Sequence, residues 1–174
     1  MGSIIILGLR ALQFLWTLLI LALVGSIIHD ASGGNPSLIN YDMFVAVFSM
    51  LSLIYLVAAG VRESLAIHPF LVMVVDLLNT FFFFCAAVAM AAELKVHSCF
   101  NNDYLKNNQI TAGSSNQTKR CQESQATTAF LWFGFATYLA STVVSAFANG
   151  GGSAGLTRGG MGGIRRGAPS MSQV

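Results

Sequence analysis

Residues 69–92 read PFLVMVVDLLNTFFFFCAAVAMAA, an apolar run broken by one charge-capable side chain, Asp76. An α-helix needs about 20 apolar residues to cross a hydrocarbon core roughly 30 Å thick. This run meets that length, and three more accompany it. Ala11 to Ile28 and Met43 to Val61 carry no charge, and Ala126 to Ala148 is again uncharged. Composition agrees: 55% of the 174 residues are hydrophobic and 9% are charged, against about 25% charged in ordinary soluble domains. The reading is an all-α membrane protein with four transmembrane helices in one bundle over residues 5–148, with spans at about 9–28, 42–61, 69–92 and 126–148. The first run is too long for the h-region of a cleaved signal peptide, about 7–15 residues, and is read as a retained helix. Met1-Gly2-Ser3 resembles a myristoylation start, but Ile6 stands where Ser or Thr is wanted. A net charge of +2 with no basic stripe excludes a nucleic-acid partner.

The long polar stretch, residues 93–125, assigns sides. It carries Cys99, Cys121 and Asn116-Gln117-Thr118. Two cysteines bracketing a polar loop read as a disulfide, which persists in an oxidising compartment. Asn116 is an N-glycosylation acceptor if it faces the secretory lumen. Together these features place the loop outside and both termini in the cytoplasm. The pair would close a loop of about 23 residues, worth roughly 3 kcal/mol in the chain-entropy account. On this topology Arg10, Arg62, Arg158, Arg165 and Arg166 lie inside, and Lys95, Lys106, Lys119 and Arg120 outside. Counting alone decides little under the positive-inside rule. The absence of Lys and Arg from residues 29–40 and the pair Arg165-Arg166 point the same way.

Residues 149–174 form a glycine-rich tail with Arg158, Arg165 and Arg166 and little to bury, which predicts a disordered cytoplasmic segment. Its arginines suit weak attraction to anionic lipid, worth about 1 kcal/mol each near the surface. Ser172-Gln173-Val174 fits a terminal-carboxylate ligand of a PDZ-type groove.

Within the spans, Asp76 requires a partner or a proton, because a carboxylate at the bilayer centre costs about 2.5–3.5 kcal/mol. Asn79 lies on the same helical face. The pair reads first as a polar anchor for helix register, with Gln13 as a hydrogen-bond partner. The sharper alternative is a channel or transporter subunit that uses Asp76. Thr137, Ser141 and Ser145, with Ala136 and Ala140 beside them, suit close helix approach inside the bundle or between copies in a homo-oligomer. Phe81 to Phe84 covers every side of its helix, so some rings must meet lipid and others neighbouring helices. Arg10, Phe14 and Leu18 fit a loose reversed sterol-contact pattern, and Cys85 reads as a packing residue. No catalytic motif, metal-ligand spacing or cofactor loop is found, so a non-enzymatic protein without cofactors is expected.

Several segments together resemble the fungal non-classical export protein family of MARVEL-domain membrane proteins. They are Asn40-Tyr41-x-Met43-Phe44, Asp76-x-x-Asn79, His97-Ser98-Cys99, Ile110-Thr111-x-Gly113-Ser114 with Cys121, Ala129-Phe130-Leu131 and the terminal Ser172-Gln173-Val174. The resemblance covers nearly the whole chain. It implies a MARVEL-like tetraspan without catalysis that populates sterol-rich plasma-membrane compartments and helps organise eisosomes. It further implies a response to sphingolipid levels, a link to protein export that bypasses a signal peptide, and cytoplasmic scaffold partners reached through the tail. A vesicle-trafficking adaptor is a third reading of the same architecture.

Overall fold

The computed structural model describes residues 2–61, 69–95 and 97–156. Four long helices dominate them: α1 (Gly2–His29), α2 (Ser37–Val61), α3 (Pro69–Leu94) and α5 (Gln117–Leu156), with a short α4 (Asn102–Asn107) between the last two. All four long helices contain segments apolar enough to cross a membrane. Hydrocarbon offers no hydrogen bonds to backbone groups, so a spanning chain must close its own, and helices do so within one segment.

Helix ends follow local chemistry. Asn35-Pro36 and Gly34, at φ 93°, separate α1 from α2. Pro69 opens α3 at the position where a missing N–H costs nothing. Lys95 closes that helix in the left-handed region (φ 48°) while its N–H still bonds the Ala91 carbonyl. Asn101 caps α4 by accepting from the Asp103 and Tyr104 amides. The Asn116 side chain likewise accepts from the Lys119 amide at the start of α5.

Four boundaries differ from expectation: α1 starts at Gly2 rather than near residue 9, α2 starts at Ser37 rather than near residue 42, and both ends of α5 lie further out. About half of the polar stretch 93–125 is helical, because α4 forms within it and α5 starts at Gln117 rather than near residue 126. The Asn116 cap and the disulfide at Cys121 anchor that polar first segment. At its other end α5 continues through Leu156, into the stretch expected as tail. Extending an existing helix adds one hydrogen bond per residue fixed, without a new nucleus. Arg158, Arg165, Arg166, Ser172, Gln173 and Val174 lie outside the described residues.

In cross-section the long helices form a square: α1 packs on α2 and α5, and α3 packs on α2 and α5. The core contains Ile20, Val24 and Ile27 of α1, Val45, Ala46, Leu53 and Leu56 of α2, Phe83, Ala86, Ala87 and Met90 of α3, and Leu131 and Tyr138 of α5. The outward surface is equally apolar, with Leu51, Ile54, Phe70, Phe81 and Phe133 more than half exposed. A surface of that kind suits hydrocarbon and not water. The phenylalanine run divides as its periodicity requires. Phe83 is fully buried against Tyr138, Phe82 meets Phe44 and Phe48, and exposed Phe81 and Phe84 face outward.

Phe83 seats against Gly134, where an added Cβ would lie 2.3 Å from the ring. Phe83 is fully buried, so its ring has no open space to swing into. Gly134→Ala should therefore destabilise the bundle by about 1–3 kcal/mol, the usual range for overpacking. Thermal unfolding in detergent measures this, and Gly8→Ala, with open space around it, serves as the neutral control.

Candidate functional site

The interior of the square is polar at two levels. Nearer the end where α1 and α3 begin, Arg10 of α1 and Asp76 of α3 form a bidentate pair, Nη1–Oδ1 at 2.5 Å and Nη2–Oδ2 at 2.6 Å. Arg10 is 3% exposed and Asp76 is fully buried. Both lie about 10–12 Å along their helices at 1.5 Å per residue. Arg10 also donates to Gln13 Oε1 at 2.8 Å. The Gln13 amide in turn donates to Ser141 Oγ (3.0 Å) and the Thr137 carbonyl (3.2 Å) on α5. One level deeper, Ser49 Oγ of α2 meets Tyr138 Oη of α5 at 2.6 Å and Thr17 Oγ1 of α1 at 2.9 Å. Asn79 Nδ2 donates to Ser52 Oγ (2.9 Å) and to the Val75 carbonyl, while Thr80 donates to its own helix and meets Thr142 of α5.

This arrangement has a geometric logic. Helices α1 and α3 stand on one diagonal of the square, and α2 and α5 on the other. Arg10–Asp76 spans the first diagonal and Ser49–Tyr138 the second. Apolar collapse gives no drive between helices in lipid, so packing and interhelical hydrogen bonds hold them together. The two diagonal links set relative height and rotation in a way that interchangeable apolar side chains do not.

Sequence reasoning located Asp76 and Asn79 but misassigned their surroundings. The partner of Asp76 is Arg10, and Gln13 supports Arg10 without bonding Asp76. Arg10 was placed at the cytoplasmic edge and on a sterol-contact surface; instead its guanidinium is inside the bundle and adds no surface charge. The reason is that α1 begins at Gly2, well before the uncharged run at Ala11. The missed signal is the spacing of Arg10, Gln13 and Thr17, which places one polar stripe on α1.

A second buried carboxyl also escaped. Asp42 is fully buried on α2, and neither of its oxygens has a hydrogen-bond partner among the described residues. It was placed at the edge of its span, but α2 starts at Ser37 and carries Asp42 into the interior. An unsatisfied buried polar group costs about 1–3 kcal/mol. Asp42→Leu should accordingly raise the unfolding midpoint, and a lowered midpoint would show that the carboxyl has an essential partner.

At the opposite end of the bundle, polar residues fasten the loops. Cys99 and Cys121 form a disulfide with Cα atoms 5.7 Å apart, beside buried Leu105 and half-buried Tyr104. The Tyr104 hydroxyl donates to the Leu94 carbonyl at 2.5 Å, and burial pushes its pKa upward. Arg120, 1% exposed, donates to the Gly113 carbonyl at 3.0 Å and reaches Asn35 Oδ1 at 3.5 Å. Ser32 bonds the same Gly113 carbonyl, so residues 31–35 and 113–114 are held together. Lys119 pairs with Asp30 at 2.7 Å, and that hydrogen bond holds the Asp30 carboxyl below its usual pKa. Ser26 donates to Glu123, completing the attachment of α1 to α5. Asn116 is exposed at the start of α5. Cys85, away from this clasp, is a half-buried free cysteine.

The geometry is that of a multi-pass bundle with an internal polar frame and a clasped end. Comparison with known proteins gives the same class. The MARVEL pattern, described as a membrane-associating domain, matches residues 3–144. The chain belongs to the MARVEL family. It is similar to "Non-classical export protein 102" of Candida albicans, 36% identical over 172 residues and covering 95% of each chain. It is also similar to "Non-classical export protein 2" of Saccharomyces cerevisiae, 35% identical over 140 residues, 80% of this chain and 78% of the relative. The Schizosaccharomyces pombe homolog of that protein is 32% identical over 139 residues, 79% of this chain and 74% of the relative. No solved structure matches the chain. This MARVEL protein is thus a membrane-associated, multi-pass tetraspan with a Cys99–Cys121 disulfide.

Proposed function

We propose that this MARVEL protein is a non-enzymatic organiser of plasma-membrane lipid–protein domains, with both termini cytoplasmic. The observation that carries the reading is the disposition of polar groups. Asp76, the residue a transporter would use, is engaged by both terminal nitrogens of Arg10. The contacts Arg10–Asp76, Gln13–Ser141, Thr17–Ser49 and Ser49–Tyr138 join one helix to another, and the outer face is broad and apolar. A protein built this way acts through the lipids and partners it gathers, by matching hydrophobic thickness and packing. The relatives' names bring protein export without a signal peptide into view, and lateral organisation is a means by which a tetraspan contributes to it.

In this reading the end bearing the Cys99–Cys121 disulfide faces an oxidising exterior, and Asn116 presents its sequon there. The tail carries Arg158, Arg165 and Arg166 to anionic lipid and ends in Ser172-Gln173-Val174 for a scaffold partner. Organisation of eisosomes and response to sphingolipid levels are the specific roles proposed. The test is live-cell imaging of a tagged copy. Discrete cell-surface patches are expected, with redistribution on sphingolipid depletion and scattering on removal of residues 169–174. An even surface distribution indifferent to sphingolipid would overturn the reading.

A further inference from the structure

The chain offers one acceptor for an N-linked glycan. Asn116-Gln117-Thr118 meets the Asn-x-Thr requirement. Asn35-Pro36-Ser37 has the same outline, but proline at its middle position blocks it.

The structure gives the two ends of the Asn116 amide different work. Oδ1 accepts from the Lys119 amide at 3.1 Å and so caps the start of α5. The Asn116 backbone N–H donates to Ser114 Oγ at 3.1 Å, and its carbonyl accepts from the Arg120 amide at 3.1 Å. Nδ2 donates to no protein atom among the described residues, and the side chain is exposed, as are Ser115 and Lys119 near it. The nitrogen that would carry a sugar is therefore the one polar atom of this residue that the fold leaves unused.

Position in the chain supplies the compartment. Asn116 lies inside the loop that the Cys99–Cys121 disulfide closes, and no span separates it from either cysteine. All three thus share one side of the membrane, and a stable disulfide belongs to an oxidising side such as the secretory lumen, where N-glycans are attached.

We infer that Asn116 carries an N-linked glycan on Nδ2 while Oδ1 continues to cap α5. The inference rests on the proposed orientation, in which the disulfide-bearing end faces outward. The sugar donor is a lipid-linked oligosaccharyl pyrophosphate of the secretory route. Nδ2 bonds to the sugar C1 as the C1–O bond to pyrophosphate breaks. The lipid pyrophosphate leaves with that electron pair, and Nδ2 gives up one proton. The product is a secondary amide whose oxygen still accepts a hydrogen bond, so glycan and cap coexist. A bulky hydrated group there keeps other macromolecules off the start of α5.

The test uses the full chain produced in yeast cells, with gel mobility read before and after peptide-N-glycosidase. One discrete step of faster migration is expected after the enzyme, with Asp appearing at position 116 by mass spectrometry. Asn116→Asp retains a good cap and should lose the step. Thr118→Ala should lose it with the cap residue untouched, and Thr118→Ser should keep it. Cysteine state is read in parallel by blocking free thiols, reducing, and adding a maleimide that slows migration. No step in a protein with Cys99 and Cys121 oxidised would overturn the inference and leave the outward orientation standing. No step with both cysteines reduced would overturn the inference and the orientation together. A step that persists in Asn116→Asp would place the sugar elsewhere and also overturn the inference.

Discussion

Arg10→Ala is expected to lower the stability of the bundle by about 3–5 kcal/mol, the usual cost of leaving one member of a buried ion pair without its partner. The loss has three parts. Asp76 would remain fully buried without its bidentate donor. Gln13 would lose the group that orients its amide toward Ser141. The α1–α3 diagonal would lose its polar link. Thermal unfolding in detergent, read by helical content, should show a strongly lowered midpoint. The double variant Arg10→Leu with Asp76→Leu should recover much of the loss, because a buried pair replaced by apolar residues is often near neutral. If the double variant were as unstable as the single one, packing around the long arginine stem would explain the loss, not the pair.

The second large effect is expected at the opposite end. Cys121→Ser opens a cross-link between residues 22 apart in sequence and should cost about 3 kcal/mol. The location distinguishes it from the first prediction. Hydrogen exchange should rise in residues 97–121, where Tyr104, Asn108 and Arg120 hold the backbone, while amides around Arg10 and Asp76 keep their protection. Loss of protection in both places would mean that the clasp and the diagonal links form a single cooperative unit.

The four spans were legible because length in hydrocarbon is a simple demand, and each apolar run meets it. The disulfide was legible because two cysteines bracket one polar stretch between spans. The Arg10–Asp76 pair was not, since its members lie 66 residues apart and the up-down order of the helices brings them together. An apolar window also hides such groups: the uncharged runs start at Ala11 and Met43, so Arg10 and Asp42 fall at the very edges of the expected spans. The helices start earlier, at Gly2 and Ser37, and take both residues inside. Polar spacing within each helix carries the missing signal. Arg10, Gln13 and Thr17 share one face of α1, Asp42 and Ser49 one face of α2, and Tyr138 and Ser141 one face of α5. Arg120 was read only as an outer-side charge in the topology, because its burial depends on Asn35 and Gly113, which meet only when two loops fold against each other.

The central claim is that this bundle organises membrane through its lipid-facing surface. The most direct measurement places purified, fluorescently labelled full-length protein in giant vesicles whose lipids separate into ordered and disordered phases. The account predicts strong enrichment in one phase and clustering there without any other protein. An equal density in both phases, with no clusters, would contradict it.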